Sequence, residues 1–267
     1  MGPKIVYLAE PNPAVPAAEW PARWREHGEV VRSLPLWRHL WRYEQDLALP
    51  LPEEVAGLVP GPADDGRYGG VGVCQYRSEA AVEEMRDEPG HGPVREDERE
   101  TFARTVEHFT VVAHEEVRRE REPTGLKLIT FLLRRDGSRD DFWRAWGQLI
   151  ASDAVAPLLD RASAYIESRV TDRTRYPVAV ADDRDRDRFP DFDGVVEVGF
   201  RDGAALAAAA ADPACAAGFE AIGSLVDPSR SITVLTDEEV LYDELEQVDW
   251  LLRDLLALRR TRRGAAA

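Results

Sequence analysis

The segment LWRHLWRYEQ, residues 36–45, concentrates side chains capable of chemistry. Read as a strand, it places Trp37, His39, Trp41, Tyr43 and Gln45 on one face and Arg38, Arg42 and Glu44 on the other. An imidazole among aromatic rings suits proton transfer near neutral pH to or from a flat, hydrophobic ligand. His39 is therefore the first candidate base. Trp37, Trp41 and Tyr43 would bind the ligand, and Arg38 and Arg42 would hold a carboxylate or enolate bidentately. The same face also suits a core surface with His39 merely hydrogen-bonded, and the two arginines also suit pairing with surface carboxylates. His27, three residues after Trp24 and on the same side of a helix, is the second acid/base candidate. Its alternative is a helix-end histidine beside Gly28.

All five histidines, His27, His39, His91, His108 and His114, fall in the first half of the chain. His108 and His114 share a strand face, and Glu115 and Glu116 follow. However, no HxH or HExxH spacing is present, so no metal is expected. His91, in PGHGP, reads as a loop residue without a role. Cys74 reads as a small buried apolar residue. There is no GxSxG, GxxxxGK[ST] or GxGxxG, so hydrolase, P-loop and dinucleotide readings have no motif, and no cofactor is expected.

The elements that must position these residues occur twice. TVVAHEEV at 110–117 matches TVLTDEEV at 233–240, an offset of 123. Trp20, Trp24 and Tyr43 match Phe142, Trp146 and Tyr165 at 122. Tyr68, Gly70, Val71, Tyr76 and Arg77 match Phe192, Gly194, Val195, Phe200 and Arg201 at 124. Lys4-Ile5-Val6 also matches Lys127-Leu128-Ile129 at 123, and five segments in one order at nearly constant spacing indicate duplication. By these offsets His27 aligns with Leu149, His39 with Arg161, His108 with Ser231 and His114 with Asp237, so the first copy is expected to be the working half. Apolar periodicity places strands near 4–9, 36–46, 70–76 and 108–116 and helices near 18–33 and 78–87 in the first copy. The second copy gives strands at 127–134, 162–170, 195–200 and 231–236, a helix after Ser138 and an alanine-rich helix at 204–211. The order β-α-β-β-α-β predicts an α+β fold: tandem ferredoxin-like units, residues 1–122 and 123–244, packed sheet against sheet as an α+β barrel. Residues 47–67 and 181–191 read as surface loops and 118–126 as a linker. Residues 245–267 read as an amphipathic helix and tail, with Leu245, Val248, Leu252 and Leu255 on one stripe that docks on the barrel or forms a subunit contact.

Composition bounds the partners. Hydrophobic residues make up 44% of the chain, enough for a core, and the formal net charge is −16. Such a field repels phosphate backbones and anionic lipid, so nucleic acid and membrane are not expected partners. Two cysteines without a CxxC suggest a reduced, cytoplasmic setting.

The chain resembles the EthD-domain family within the dimeric α+β barrel superfamily. The first copy carries the likeness in Trp24-Arg25-Glu26-His27-Gly28, Arg32-Ser33-Leu34-Pro35, Leu36-Trp37-Arg38-His39 and Arg42-Tyr43-Glu44-Gln45. The second carries it in Phe142 and Trp146, Phe192-Asp193-Gly194-Val195 and Asp227-Pro228-Ser229-Arg230-Ser231. The resemblance implies a histidine late in the first helix, matched here by His27, with Leu149 or Ile150 in the second copy. It also implies a cofactor-independent enzyme, an oxidoreductase or monooxygenase, acting on a hydrophobic aromatic or polycyclic small molecule in secondary metabolism or xenobiotic breakdown. Polyketide cyclases, decarboxylases and haem enzymes also occur in this superfamily, and a non-catalytic ligand-binding or accessory protein is the alternative from another class. For a haem, His39, His108 or His114 would be the axial ligand.

Overall fold

A computed structural model describes residues 2–60, 66–86, 88, 91–104, 110–120, 124–170 and 191–244. His108 and the residues of the C-terminal stripe lie outside these. The described strands are β1 (Lys4–Ala9), β2 (Leu40–Leu49), β3 (Gly70–Tyr76), β4 (Thr110–Glu120), β5 (Leu126–Leu132), β6 (Ala164–Val170), β7 (Gly194–Phe200), β8 (Ile232–Asp237) and β9 (Val240–Asp243). They hydrogen-bond in the order β3-β1-β4-β6-β7-β5-β8-β2-β9, and β3 also pairs with β2. Eight antiparallel strands thus form a closed barrel, with β9 added alongside β2.

This corrects the expected fold, tandem ferredoxin-like units packed as an α+β barrel from two separate sheets. The sheet is one continuous ring. β4 pairs with β6 from Ala113↔Val170 to Glu120↔Ala164, and β2 pairs with β8 from Leu47↔Asp237 to Leu49↔Leu235. Two separate sheets would leave four strand edges with unpaired N–H and C=O groups, and ring closure removes them. The pairing residues lie partly in stretches read as loop and linker: Leu47–Leu49 fall in the expected 47–67 loop, and Arg118–Glu120 in the expected linker.

Strand alternation divides the molecule into three apolar regions. Val6, Leu8, Val71, Val73, Val111, Ile129, Phe131, Val195 and Val234 point into the barrel. The opposite faces of the first-half strands, with Ile5, Tyr7, Tyr76 and Val112, are covered by helices. These are α1 (Trp20–Arg32), a 3₁₀ turn (Pro35–His39), α3 (Glu79–Arg86) and α4 (His91–Thr101); a short α2 (Glu53–Ala56) follows β2 and packs toward the second half. The second-half strands are covered by α5 (Arg139–Ile150), α6 (Ala156–Arg161), α7 (Gly203–Ala210) and α8 (Pro213–Leu225). The expected cap of α5 is present: Ser138 Oγ accepts from the Asp141 backbone N–H at 3.1 Å. No single helix among the described residues is long and apolar enough to cross a membrane.

The barrel interior is not apolar throughout. Lys4 and Lys127 keep the inward parity of Val6 and Ile129, and both ammonium groups are buried in an ionic cluster. Lys127 Nζ lies 2.5 Å from Glu44, 2.8 Å from Glu238, 3.2 Å from Asp46 and 3.4 Å from Glu197. Lys4 pairs with Glu197 and lies 3.7 Å from Glu115. Buried charges persist only when paired in this way.

Candidate functional site

Helix α1 begins with Pro21 in its first turn and buries Trp20, Trp24 and His27, one helical stripe against the sheet. Helix α4 packs beside it. Between these helices and the outer face of β1, β2 and β3 lies a cavity of about 90 Å³. Ile5, Tyr7, Tyr43, Cys74 and Tyr76 form its sheet side, and Leu36, Leu40 and Met85 form its apolar edge. His27 and Val31 enter from α1, while His91, Val94, Arg95 and Glu98 enter from α4. Every lining residue belongs to the first half.

The ring nitrogens of the two histidines are differentiated by their partners. His27 is 3% exposed, and its Nδ1 lies 2.6 Å from Asp97 Oδ2. A carboxylate at Nδ1 fixes the tautomer with the proton there and leaves Nε2 as the acceptor. Asp97 is held in turn by Arg23, with Nη2 at 2.6 Å from Oδ1. Burial pushes the Asp97 carboxyl up, but hydrogen bonds from His27 and Arg23 outweigh it and hold it below its ordinary value. Asp97 therefore stays anionic at neutral pH. His91 Nε2 lies 2.6 Å from the Met85 carbonyl, so it donates there and keeps Nδ1 as acceptor.

The remaining polar groups of the sheet side are neutral donors. Burial raises the Tyr7, Tyr43 and Tyr76 phenols above their ordinary values, so none of them is an anionic base near neutral pH. Burial, with the charges of Glu44 and Glu98, pushes the Cys74 thiol up to about 12, and a protonated thiol is a poor nucleophile.

The residues singled out from the sequence separate into two groups. His27 and Tyr43 meet at the cavity. His39, Trp37, Trp41, Arg38 and Arg42 do not line it. The alternation expected across residues 36–46 does not hold, because Pro35–His39 form a 3₁₀ turn and the strand begins at Leu40. A register shift between Leu40 and Arg42 breaks the alternation again at Trp41. His39 is buried, with Nε2 3.3 Å from Glu88 and Nδ1 3.7 Å from Glu84. Arg38 also pairs with Glu88. Trp37 packs edge-on to Tyr43 and Tyr242, at 5.6 and 5.0 Å between ring centroids. Arg42 joins the barrel's ionic cluster through Glu44, Glu238 and Asp243. His114, on β4, pairs with Glu79.

Sequence reading missed His91, Arg95, Asp97 and Glu98. His91 opens a helix and is not a loop residue. His91, Val94, Arg95 and Glu98 follow the i, i+3, i+4, i+7 spacing of one helix face, which is the signal that could have found them.

No family model matches the chain, and no curated protein matches it. Among solved structures it is similar in fold to a monooxygenase candidate from Fusobacterium nucleatum, at 5% identity over 90% of this chain and 94% of that one, with a TM-score of 0.55. It is also similar to an anthrone oxidase-like protein, at 10% identity over 91% of this chain and 94% of that one, with a TM-score of 0.52. At these identities the likeness is one of fold.

Proposed function

We propose that this chain is an EthD-like, cofactor-independent oxidase of a small aromatic phenol or enol bearing an acidic C–H. The observation that carries this reading is the His27–Asp97 pair, with His27 in the wall of a cavity that has an apolar edge of Leu36, Leu40 and Met85 and polar side chains from α4. Nε2 of His27 takes the proton, and the Asp97 carboxylate stabilises the imidazolium that results. The carbanion, delocalised onto the adjacent oxygen, is oxidised by O2. A CH2 group becomes a carbonyl, one oxygen atom enters the product and the other leaves as water. The fold likeness to a monooxygenase candidate and to an anthrone oxidase-like protein supports oxidation over cyclisation or decarboxylation.

Cavity size narrows the substrate. A cavity of about 90 Å³ with an apolar edge and aromatic sheet side suits a single aromatic ring. Oxygen uptake over a panel of one-ring phenols and enols tests the reading. The expected result is one O2 consumed per carbonyl formed, with His27→Gln slower by about two to four powers of ten and ligand binding retained. Absence of O2 uptake across the panel, or normal turnover by His27→Gln, would overturn it.

A further inference from the structure

The hydrogen bonds beneath the cavity contain more donors than acceptors. Tyr7 on β1 and Tyr43 on β2 are buried on the sheet side of the site, either side of β3, with their hydroxyl oxygens 3.3 Å apart. Trp24 Nε1 lies 3.3 Å from Tyr7 Oη, and an indole nitrogen can only donate. Gln45 Nε2 lies 2.8 Å from Tyr43 Oη. The orientation of that amide is not arbitrary. Its nitrogen is also 2.8 Å from the Trp24 backbone carbonyl, which can only accept, so the same nitrogen must donate to Tyr43.

Each phenol oxygen therefore already accepts one fixed N–H. The two phenols bring two protons of their own, and the bond between them uses one. If Tyr43 donates to Tyr7, the Tyr7 proton is left over; if Tyr7 donates to Tyr43, the Tyr43 proton is left over. Among the described residues no other hydrogen-bond partner reaches either oxygen. A separation of 3.3 Å is long for O–H···O. Were that bond not made, two protons would be spare, so one is the minimum. Both residues line the cavity.

The second half keeps a tryptophan and a tyrosine at the offsets of Trp24 and Tyr43 but has one phenol where the first half has two, and there the count closes. Trp146 Nε1 donates to Tyr165 Oη at 3.1 Å, and Tyr165 donates to Glu167 at 3.1 Å. Glu167 stands at the offset of Gln45. A glutamate there accepts the phenolic proton, whereas Gln45 supplies another donor.

We propose that Tyr7 and Tyr43 together form an oxyanion-binding site that takes the phenolate or enolate oxygen of the substrate. This deepens the proposed oxidase reading, since the oxygen is where negative charge gathers once His27 has removed the proton. A donor aimed at that position favours the anion over the neutral ligand.

Titration of bound 4-nitrophenol tests this without turnover, because its neutral and anionic forms absorb differently. Comparison among variants cancels the cost of burying the ring. The proton count gives an unusual expectation. Tyr7→Phe and Tyr43→Phe each leave one phenol whose proton is unused, so each single variant keeps most of the preference for the anion. The double variant has no phenolic donor left, only the Trp24 and Gln45 N–H groups 3.3 and 2.8 Å from the lost oxygens, and its bound 4-nitrophenol should titrate about one pH unit or more above wild type. Gln45→Glu should raise the titration at least as far, because it takes up the spare proton with both phenols present and adds a negative charge of its own. Thermal unfolding checks that each variant is folded, and the double Phe variant stands alone if Gln45→Glu is not. Equal titration of wild type and the double variant would overturn the oxyanion site and leave the cavity reading intact. Failure of 4-nitrophenol to bind in either form would overturn both.

Discussion

Asp97 Oδ2 lies 2.6 Å from His27 Nδ1, and the two residues come from different helices, α4 and α1. The contact fixes which imidazole nitrogen carries the proton and places a permanent negative charge behind it. Asp97→Asn keeps the shape but removes the charge. Turnover should fall on the order of a hundredfold or more, with KM little changed, as when the orienting carboxylate of a His–Asp pair is neutralised. Steady-state kinetics on the best one-ring substrate decides this, and an unchanged kcat would show that His27 works without its partner.

The two candidate histidines of the sequence make opposite predictions. His39 sits among Glu88, Glu84 and Arg38 and does not line the cavity. His39→Gln should therefore leave turnover within a few-fold of wild type, while His27→Gln loses about two to four powers of ten. Assaying both variants on one substrate separates them. A large loss in His39→Gln alone would return the base to the 3₁₀ turn.

How far the sequence carried this reading follows from which forces leave a pattern. Helix α1 was legible because Trp20, Trp24 and His27 repeat at helical spacing behind Pro21. The strands of both halves were legible because they are short runs rich in β-branched and apolar residues, such as KIVYLA and LKLITFL. The 3₁₀ turn was not, since Pro35 sits inside a run whose aromatic alternation imitates a strand through His39. Helix α4 was hidden because its cavity face, His91, Val94, Arg95 and Glu98, is mostly polar. Asp97 gave no local signal, standing 70 residues from His27. Barrel closure was hidden for another reason. The β4–β6 and β2–β8 joints are made by main-chain hydrogen bonds, to which side-chain pattern is nearly blind, and they use the ends of strands that read as loop and linker.

Gly72 makes room for the Tyr7 ring across the sheet. The two residues are paired between β1 and β3, and a Cβ on Gly72 would fall 2.0 Å from Tyr7 Cζ. Both strands are held in the barrel, so the ring would have to move instead of the backbone. Gly72→Ala should cost roughly 1–3 kcal/mol of stability as an overpacked site. It should also disturb the Tyr7–Tyr43 contact. Denaturant unfolding measures the first effect and the titration of bound 4-nitrophenol the second. A variant as stable as wild type with an unaltered titration would show that the strand yields at this point.

Asp46 gives the clearest dependence of stability on pH. It shares Lys127 with Glu44, Glu197 and Glu238, four carboxylates about one ammonium. Burial, reinforced by the neighbouring carboxylates and opposed by Lys127, pushes the Asp46 carboxyl up to about 8. Glu44 goes the other way. Burial raises it, but Lys127 and Arg42 outweigh that and hold it well below its ordinary value. An unfolded aspartate titrates near about 3.9. Between there and about 8 the folded chain holds a proton on Asp46 that the unfolded chain has released. More protons bound in the folded state means that stability falls as pH rises through this window. Asp46→Asn keeps an oxygen to accept from the Glu239 backbone N–H, which Asp46 Oδ1 now receives at 3.2 Å. It has no proton to lose. Its stability relative to wild type should therefore improve steadily from the ordinary carboxylate range to about 8 and level off above it. Taking the difference between the two proteins removes other groups that titrate alike in both. Denaturation midpoints measured across that range provide the check. A difference that does not vary with pH would place the shared proton on another member of the cluster, with Glu238, also raised by burial, as the first to examine.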